Sequence, residues 1–288
     1  MGVDRPEEDD QPRPHDTPRV ATGRVACEER DRSEYYDALR AAVDGISTAS
    51  ERFREVWAEH CERWPQEARK PPDRSADPPG SWRGDSGRYL DSAANAEVDE
   101  RCHQIADIER TVISPAMREI ESHAPDRHLA GFDHRRKGPD RLKDKIAATL
   151  EEQPGLTVRD AVAEIPDSLR YTFEYDNACY TSGVQADVQQ LAGRGFELIE
   201  ARNTWQDEHY KGINTRWRLP DSDIRFEVQF HTHSSFEAKQ LTHSAYERLR
   251  DPLTDPAEIR ELRGLQRELV AHVSIPSGAC ETLNYRRS

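Results

Sequence analysis

The sequence has no apolar run approaching the roughly 20 residues that a membrane-crossing helix needs. Its opening, MGVDRPEEDDQPRPHD, holds no hydrophobic block of the kind a secretory signal or transit peptide carries. Cysteine is sparse. Cys27, Cys61, Cys102, Cys179 and Cys280 are odd in number and widely spaced, and no CxxC occurs, so neither a zinc knuckle nor a disulfide framework is expected. These absences predict a reduced, cytoplasmic chain with no membrane partner. Positive charge is also short: 41 Lys and Arg stand against 55 Asp and Glu, a net charge of −14. A surface that grips a nucleic-acid backbone broadly needs the opposite balance, although a small basic pocket on an acidic body remains compatible. Hydrophobic residues make up only 35% of the 288 residues, so part of the chain is expected not to pack.

Residues 1–30, rich in Pro, Asp, Glu and Arg, read as a disordered acidic tail. Across residues 31–66, Tyr36, Leu39, Val43, Ile46, Phe53, Val56 and Trp57 recur at helical steps and predict one amphipathic helix. Residues 67–90 are dense in proline and glycine and read as a linker. Residues 91–130 form a second helical region, with a bend expected at Pro115 because proline removes an internal hydrogen bond. From 131 to 276 the pattern becomes α+β. A basic turn and helix precede a half-buried strand with Leu169, Tyr171, Phe173 and Tyr175 alternating against polar neighbours. A helix, a strand, a hairpin over INTRWRL and IRFEVQFHT, and two helices follow, the first capped by Ser234 or Ser235 and the second by Asp255. Residues 277–288 read as a tail.

Four features carry candidate chemistry. On the strand from Arg225 to His233, Phe226, Val228 and Phe230 face one way and Glu227, Gln229 and His231 the other. The plain reading is a core face and a solvated face. Glu227, His231 and His233 could also bind a metal, or Glu227 could hold Mg²⁺ over a nucleotide. The second feature is the cationic stretch Arg135, Arg136, Lys137, Arg141, Lys143 and Lys145, in which Lys137, Arg141 and Lys145 share a helical face if the helix starts early enough. It is either a solvated face or a polyphosphate clamp. The third is Tyr210-Lys211-Gly212-Ile213-Asn214, where an aromatic ring could stack on a base beside a cation. The fourth is Asp167, a turn or cap residue at the mouth of a strand unless it serves a site.

In chain order, R-x-K-x-x-x-R-x-x-x-K, D-S-L-R-Y-T-F, Y-K-G-I-N-T, F-E-V-Q-F-H-T and A-K-x-x-T-H-x-x-Y-E resemble the RelA/SpoT family of alarmone synthetase domains, over residues 130–250. The likeness looks closest to members found as toxin or effector domains behind variable N-terminal regions. The resemblance implies a nucleotidyltransferase-like mixed sheet flanked by helices, preceded here by the N-terminal helical region. It also implies pyrophosphate transfer from ATP to the 3′-hydroxyl of GDP or GTP, with Mg²⁺ as cofactor. On that likeness Asp167 is the metal ligand, and Glu227 is the second catalytic carboxylate and the base. Arg135, Lys137, Lys145 and Arg170 hold ATP phosphates; Tyr210, Lys211, Asn214, Gln229 and His243 meet the acceptor. No upstream His and Asp cluster marks a hydrolase half, since His15-Asp16 lies in the tail, so the chain reads as synthetase-only.

The chain departs from the family in three places. Arg170 and Thr172 stand where the family has Gly and Arg after the aspartate, Arg141 replaces a small residue, and His231 takes a position commonly held by Arg. These departures keep other acceptors in play, namely adenine nucleotides or the 3′ end of tRNA. They also leave open a nucleotide-binding module that has lost turnover.

Overall fold

The computed structural model describes residues 45–66, 70–283 and 285–286; the expected tail at 1–30 and the start of the helix predicted from 31 fall outside these residues. The chain is helical through residues 45–63 (α1). Two short strands, Trp82–Arg83 (β1) and Tyr89–Leu90 (β2), precede the helix Ser92–Ile108 (α2), a π-helical turn at Glu109–Ile113 and the helix Ser114–Ser122 (α3). There follow Arg127–Leu129 (β3), Pro139–Glu152 (α4), Val158–Ala163 (α5), Arg170–Tyr175 (β4), Tyr180–Gly193 (α6) and Glu197–Asn203 (β5). The chain ends through Ile213–Arg218 (β6), Arg225–Thr232 (β7), His233–Leu249 (α7), Pro256–Val270 (α8) and Tyr285–Arg286 (β8).

Six strands form one mixed sheet in the order β3-β4-β7-β6-β5-β8. β4 and β7 run parallel, and every other pairing in the sheet is antiparallel. This is the expected mixed sheet flanked by helices.

Because strand side chains alternate, register assigns each residue a face. Tyr171, Phe173 and Tyr175 align with Val228, Phe230 and Thr232, and the β6 partners of Phe226, Val228 and Phe230 are Trp217, Thr215 and Ile213. All but Thr232 of these lie on the apolar face and are fully or almost fully buried. The polar atoms on that face are satisfied, as burial requires. Thr215 Oγ1 donates to the Val228 carbonyl, Trp217 Nε1 donates to Thr215 Oγ1, and Tyr175 Oη donates to Asp187.

The expectation of a half-buried strand at β4 is corrected. Five of its six positions are buried, because α7 packs over the sheet face opposite the aromatic core. The α7 cap is Thr232, not Ser234 or Ser235. Its side chain accepts from the Ser235 backbone N–H while the Ser235 hydroxyl meets the Thr232 backbone N–H, a reciprocal capping box. The backbone departs from α-helix at the π-helical turn, ahead of Pro115, rather than bending at the proline alone.

Two low-complexity readings also change. Within the segment expected as a linker, β1 and β2 pair, Leu90 is buried, Trp82 Nε1 donates to Asp140 at 2.9 Å, and Arg88 pairs with Asp144. Its few apolar and arginine side chains anchor it to α4 despite the prolines. The expected tail likewise closes a sheet edge. Ala279 is fully buried, Asn203 Nδ2 donates to the carbonyls of Ala279 and Thr282, and β8 pairs with β5.

Phe230 sits at the centre of the core face, fully buried and stacked on Phe173 at 6.2 Å. Phe230→Ala is expected to cost about 3–5 kcal/mol of stability in urea unfolding. Leu253→Ala, at a residue 81% exposed, should stay within about 0.5 kcal/mol.

Candidate functional site

The opposite sheet face is polar. Across it, Arg170 aligns with Glu227 and Arg216, and Thr172 with Gln229 and Asn214. The backbone segments that carry the two predicted carboxylates meet at one end of this face. Glu227 N–H donates to the Leu169 carbonyl at 2.9 Å, and Asp167 lies two residues earlier, in a 3₁₀ turn packed on β7.

Segment 135–137 runs beside that turn. Arg170 N–H donates to the Arg135 carbonyl and Lys137 N–H to the Ser168 carbonyl, with an isolated bridge between Arg136 and Leu169. This local pairing sets Lys137 against Asp167, their charged atoms 2.9 Å apart. Lys145, from α4, reaches both Asp167 oxygens at 2.9 and 2.8 Å. Helix α4 starts only at Pro139, so Lys137 precedes it, and the two lysines converge through tertiary structure instead of a shared helical face. Burial opposes charge on Asp167, but hydrogen bonds from Lys145 and Lys137 outweigh it and hold the carboxyl below its ordinary range. Burial in turn pushes Lys137 down, against the pull of Asp167.

A cleft of about 590 Å³ opens in front of this ion cluster. Its walls are the segment from Ala130 to Arg141, the residues Asp167, Arg170 and Thr172, and a stripe of α7 made by Phe236, Lys239, Gln240 and His243. Those four α7 residues recur at i, i+3, i+4 and i+7, one side of a helix. Arg135, Arg136, Lys137, Arg141, Arg170 and Lys239 face only Asp133 and Asp167 as acids there, a local cationic surplus in an acidic chain.

Lys239 stands in the motif A-K-x-x-T-H-x-x-Y-E but outside the residues that the resemblance assigns to a site. Its ammonium lies over the Phe236 ring and donates to Gln229 Oε1 at 2.5 Å, and Gln229 Nε2 donates to Glu227 at 2.9 Å. The chain Lys239–Gln229–Glu227 thus joins the cleft to the second carboxylate. Burial, helped by the charge of Arg170, pushes the Lys239 ammonium down to about 7.

The remaining predicted residues divide. His243 lines the cleft beside Glu247 at 3.3 Å. Arg135 also lines it, but its guanidinium is held by buried Glu109 at 2.7 Å and stacked on Phe132, which makes it part of the wall. Tyr210, Lys211, Asn214, Gln229 and Glu227 are not in the cleft wall, and Lys145 joins it only through Asp167. Tyr210 Oη donates to Asn214 Oδ1 at 2.8 Å and meets His231 Nε2 at 2.9 Å; burial, with the Glu227 charge, pushes its hydroxyl up. Lys211 Nζ donates to the carbonyls of Trp205 and Asp207, closing its own loop, so its ammonium does not point at an acceptor. Gly212 permits that loop to lie on His231: its φ is 149°, and a Cβ there would come within 2.7 Å of the imidazole.

The metal reading of Glu227, His231 and His233 is overturned. His231 is fully buried with both ring nitrogens engaged, by Ser235 and Tyr210, and burial holds it well below its usual titration range. His233 instead turns to Glu174.

Neither a protein-family profile nor a curated protein matches the sequence. Solved structures do include similar chains. The chain is similar to small alarmone synthetases. The small alarmone synthetase 1 of Bacillus subtilis bound to pppGpp matches at 15% identity and a TM-score of 0.41, covering 62% of this chain and 90% of that one. The small alarmone synthetase 2 of the same organism matches at 16% identity and 0.39, covering 62% and 91%. A GTP pyrophosphokinase family protein of Streptococcus pneumoniae matches at 17% and 0.37, covering 61% and 83%. Among the described residues no helix is long and apolar enough to cross a membrane.

With an ammonium that titrates near neutrality, Lys239 is charged at pH 6 and largely neutral at pH 8. Polyphosphate or ATP binding is therefore expected to weaken about tenfold more across that interval than in Lys239→Arg, measured by calorimetry on both proteins. The ligand's own titration is common to the two and cancels.

Proposed function

We propose that the chain transfers pyrophosphate from ATP to the 3′-hydroxyl of GDP or GTP and acts in the synthetic direction only. The observation that carries this reading is the cationic cleft ending at Asp167, with Glu227 on the adjacent parallel strand. The order of motifs along the chain supports it.

Phosphoryl transfer requires positioning and charge neutralisation more than covalent work by the protein. Arg136, Lys137, Arg141, Lys145, Arg170 and Lys239 meet the ATP phosphates, while Arg135 holds the cleft wall through Glu109. Polyphosphate oxygens compete with Asp167 for Lys137 and Lys145, so ligand entry frees the carboxylate. Asp167 and Glu227 offer hard oxygen donors that suit Mg²⁺. When bound, that ion would shield the phosphate oxygens. Glu227 accepts the 3′-hydroxyl proton as the oxygen bonds to the β-phosphorus; the bond to the α-phosphoryl oxygen breaks and AMP leaves. The guanine ring stacks on the accessible part of Tyr210, whose orientation Asn214 and His231 fix, while Gln229 positions Glu227 and His243 borders the nucleotide. Lys211 acts on the acceptor through the shape of its loop.

One observation favours a second reading. Both Asp167 oxygens are taken by ammonium groups, which is also how a nucleotide-binding module without turnover would be wired.

The two readings separate on one experiment. With γ-labelled ATP, Mg²⁺ and GDP, GTP, adenine nucleotides or tRNA offered separately, label and stoichiometric AMP should appear with the guanosine nucleotides. Transfer to an adenine nucleotide or tRNA would reassign the acceptor, and ATP binding with no transfer to any of them would establish the binding module. Glu227→Gln should lower transfer by at least about 100-fold with the melting temperature unchanged; full activity in that variant removes Glu227 as the base.

A further inference from the structure

At the other end of β4 from Asp167, three side chains that the proposed reaction does not use converge on the sheet edge. His128 of β3 is the direct cross-strand partner of Glu174 of β4, and His233 opens α7. His233 Nδ1 contacts Glu174 Oε1, His128 Nε2 lies 3.5 Å from Glu174 Oε2, and the two imidazole rings stack at 5.6 Å. One ligating atom from each residue falls within 4.8 Å of the others. Glu174 is 10% exposed at its side chain and the histidines are about half exposed, so the carboxylate is fixed while the rings remain reachable from solvent.

A second observation concerns how His233 is held. Its Nε2 lies 3.2 Å from Asp176 Oδ1 while Nδ1 faces the cluster. In the metal-free chain Glu174, with Asp176, holds the ring's affinity for its proton above the usual value; once a metal displaces the inner proton, a carboxylate on the outer nitrogen is the supporting arrangement of metal-ligating histidines.

We propose that His128, Glu174 and His233 bind one Zn²⁺, with Asp176 orienting His233. Two imidazoles and a carboxylate suit a borderline ion over Mg²⁺. Ligand atoms about a tetrahedral zinc lie roughly 3–3.5 Å apart, given bonds of about 2.0–2.2 Å, so small side-chain rotations close the set. Three protein ligands leave the fourth position to water. Because the site joins β3 and β4 to the first turn of α7, zinc would tie down the helix that presents Lys239 and His243 to the cleft.

The test is zinc binding by the metal-free full chain, read by calorimetry and by the visible absorption of Co²⁺ as a substitute. One ion per chain is expected, with an upward shift in melting temperature and Co²⁺ bands of tetrahedral intensity. His128→Gln and His233→Gln should each abolish the bands, and Asp176→Asn should weaken affinity about tenfold or more. Asp167→Asn should leave binding unchanged, which separates this site from the nucleotide cleft. Circular dichroism checks that each variant is folded, and the half-exposed histidines tolerate replacement without loss of core. Absence of bound zinc, or zinc retained equally by a folded variant carrying both histidine replacements, overturns the proposal.

Discussion

The parallel pairing of β4 with β7 is the constraint on which the rest depends. Both strands are interior, and side-chain alternation then divides each into an aromatic face and a polar face in one register. Phe173 against Phe230 and Tyr171 against Val228 settle that register by burial. The same register sets Glu227 beside Arg170 and brings the turn holding Asp167 against β7. A slip of one residue would turn Glu227, Gln229 and His231 into the aromatic core. The hydrophobic effect therefore fixes the position of the acidic groups, although none of them contributes to it.

Charge is arranged against the average of the chain. A net charge of −14 coexists with a cleft in which cations outnumber acids. Such crowding is tolerated because particular anions are placed among the cations. Asp167 takes two lysines, and buried Glu109, which also meets Ser114, takes Arg135. Lys239 donates to a neutral amide, and burial, helped by the charge of Arg170, lowers its affinity for its proton. An incoming polyanion would find several of these cations only loosely compensated.

His231 illustrates how one buried residue orders its surroundings. The strand carries here a buried neutral ring, bonded to Tyr210 and Ser235 and covered by Gly212. Positive charge near that part of the polar face comes from the next helix, through Lys239. The Tyr210 hydroxyl and the Lys211 ammonium likewise order their own loop, which is shaped by packing and by internal hydrogen bonds.

Short-range signals were legible in the residues themselves. Alternation marked β4 and β7, helical period marked α7 and α8, and the spaced motifs D-S-L-R-Y-T-F and F-E-V-Q-F-H-T pointed to Asp167 and Glu227. These depend on local geometry, which a period of two or 3.6 reports directly. Composition misled where few residues carry the packing: Trp82, Leu90 and Ala279 anchor segments that read as linker and tail. Only the tertiary structure decided that Lys137 and Lys145 meet on Asp167, that Arg135 turns to Glu109, that Lys239 reaches Gln229, and that His233 leaves Glu227 for Glu174. Each of these joins side chains from different elements, and no periodicity within one element encodes which distant partner a charged group will find.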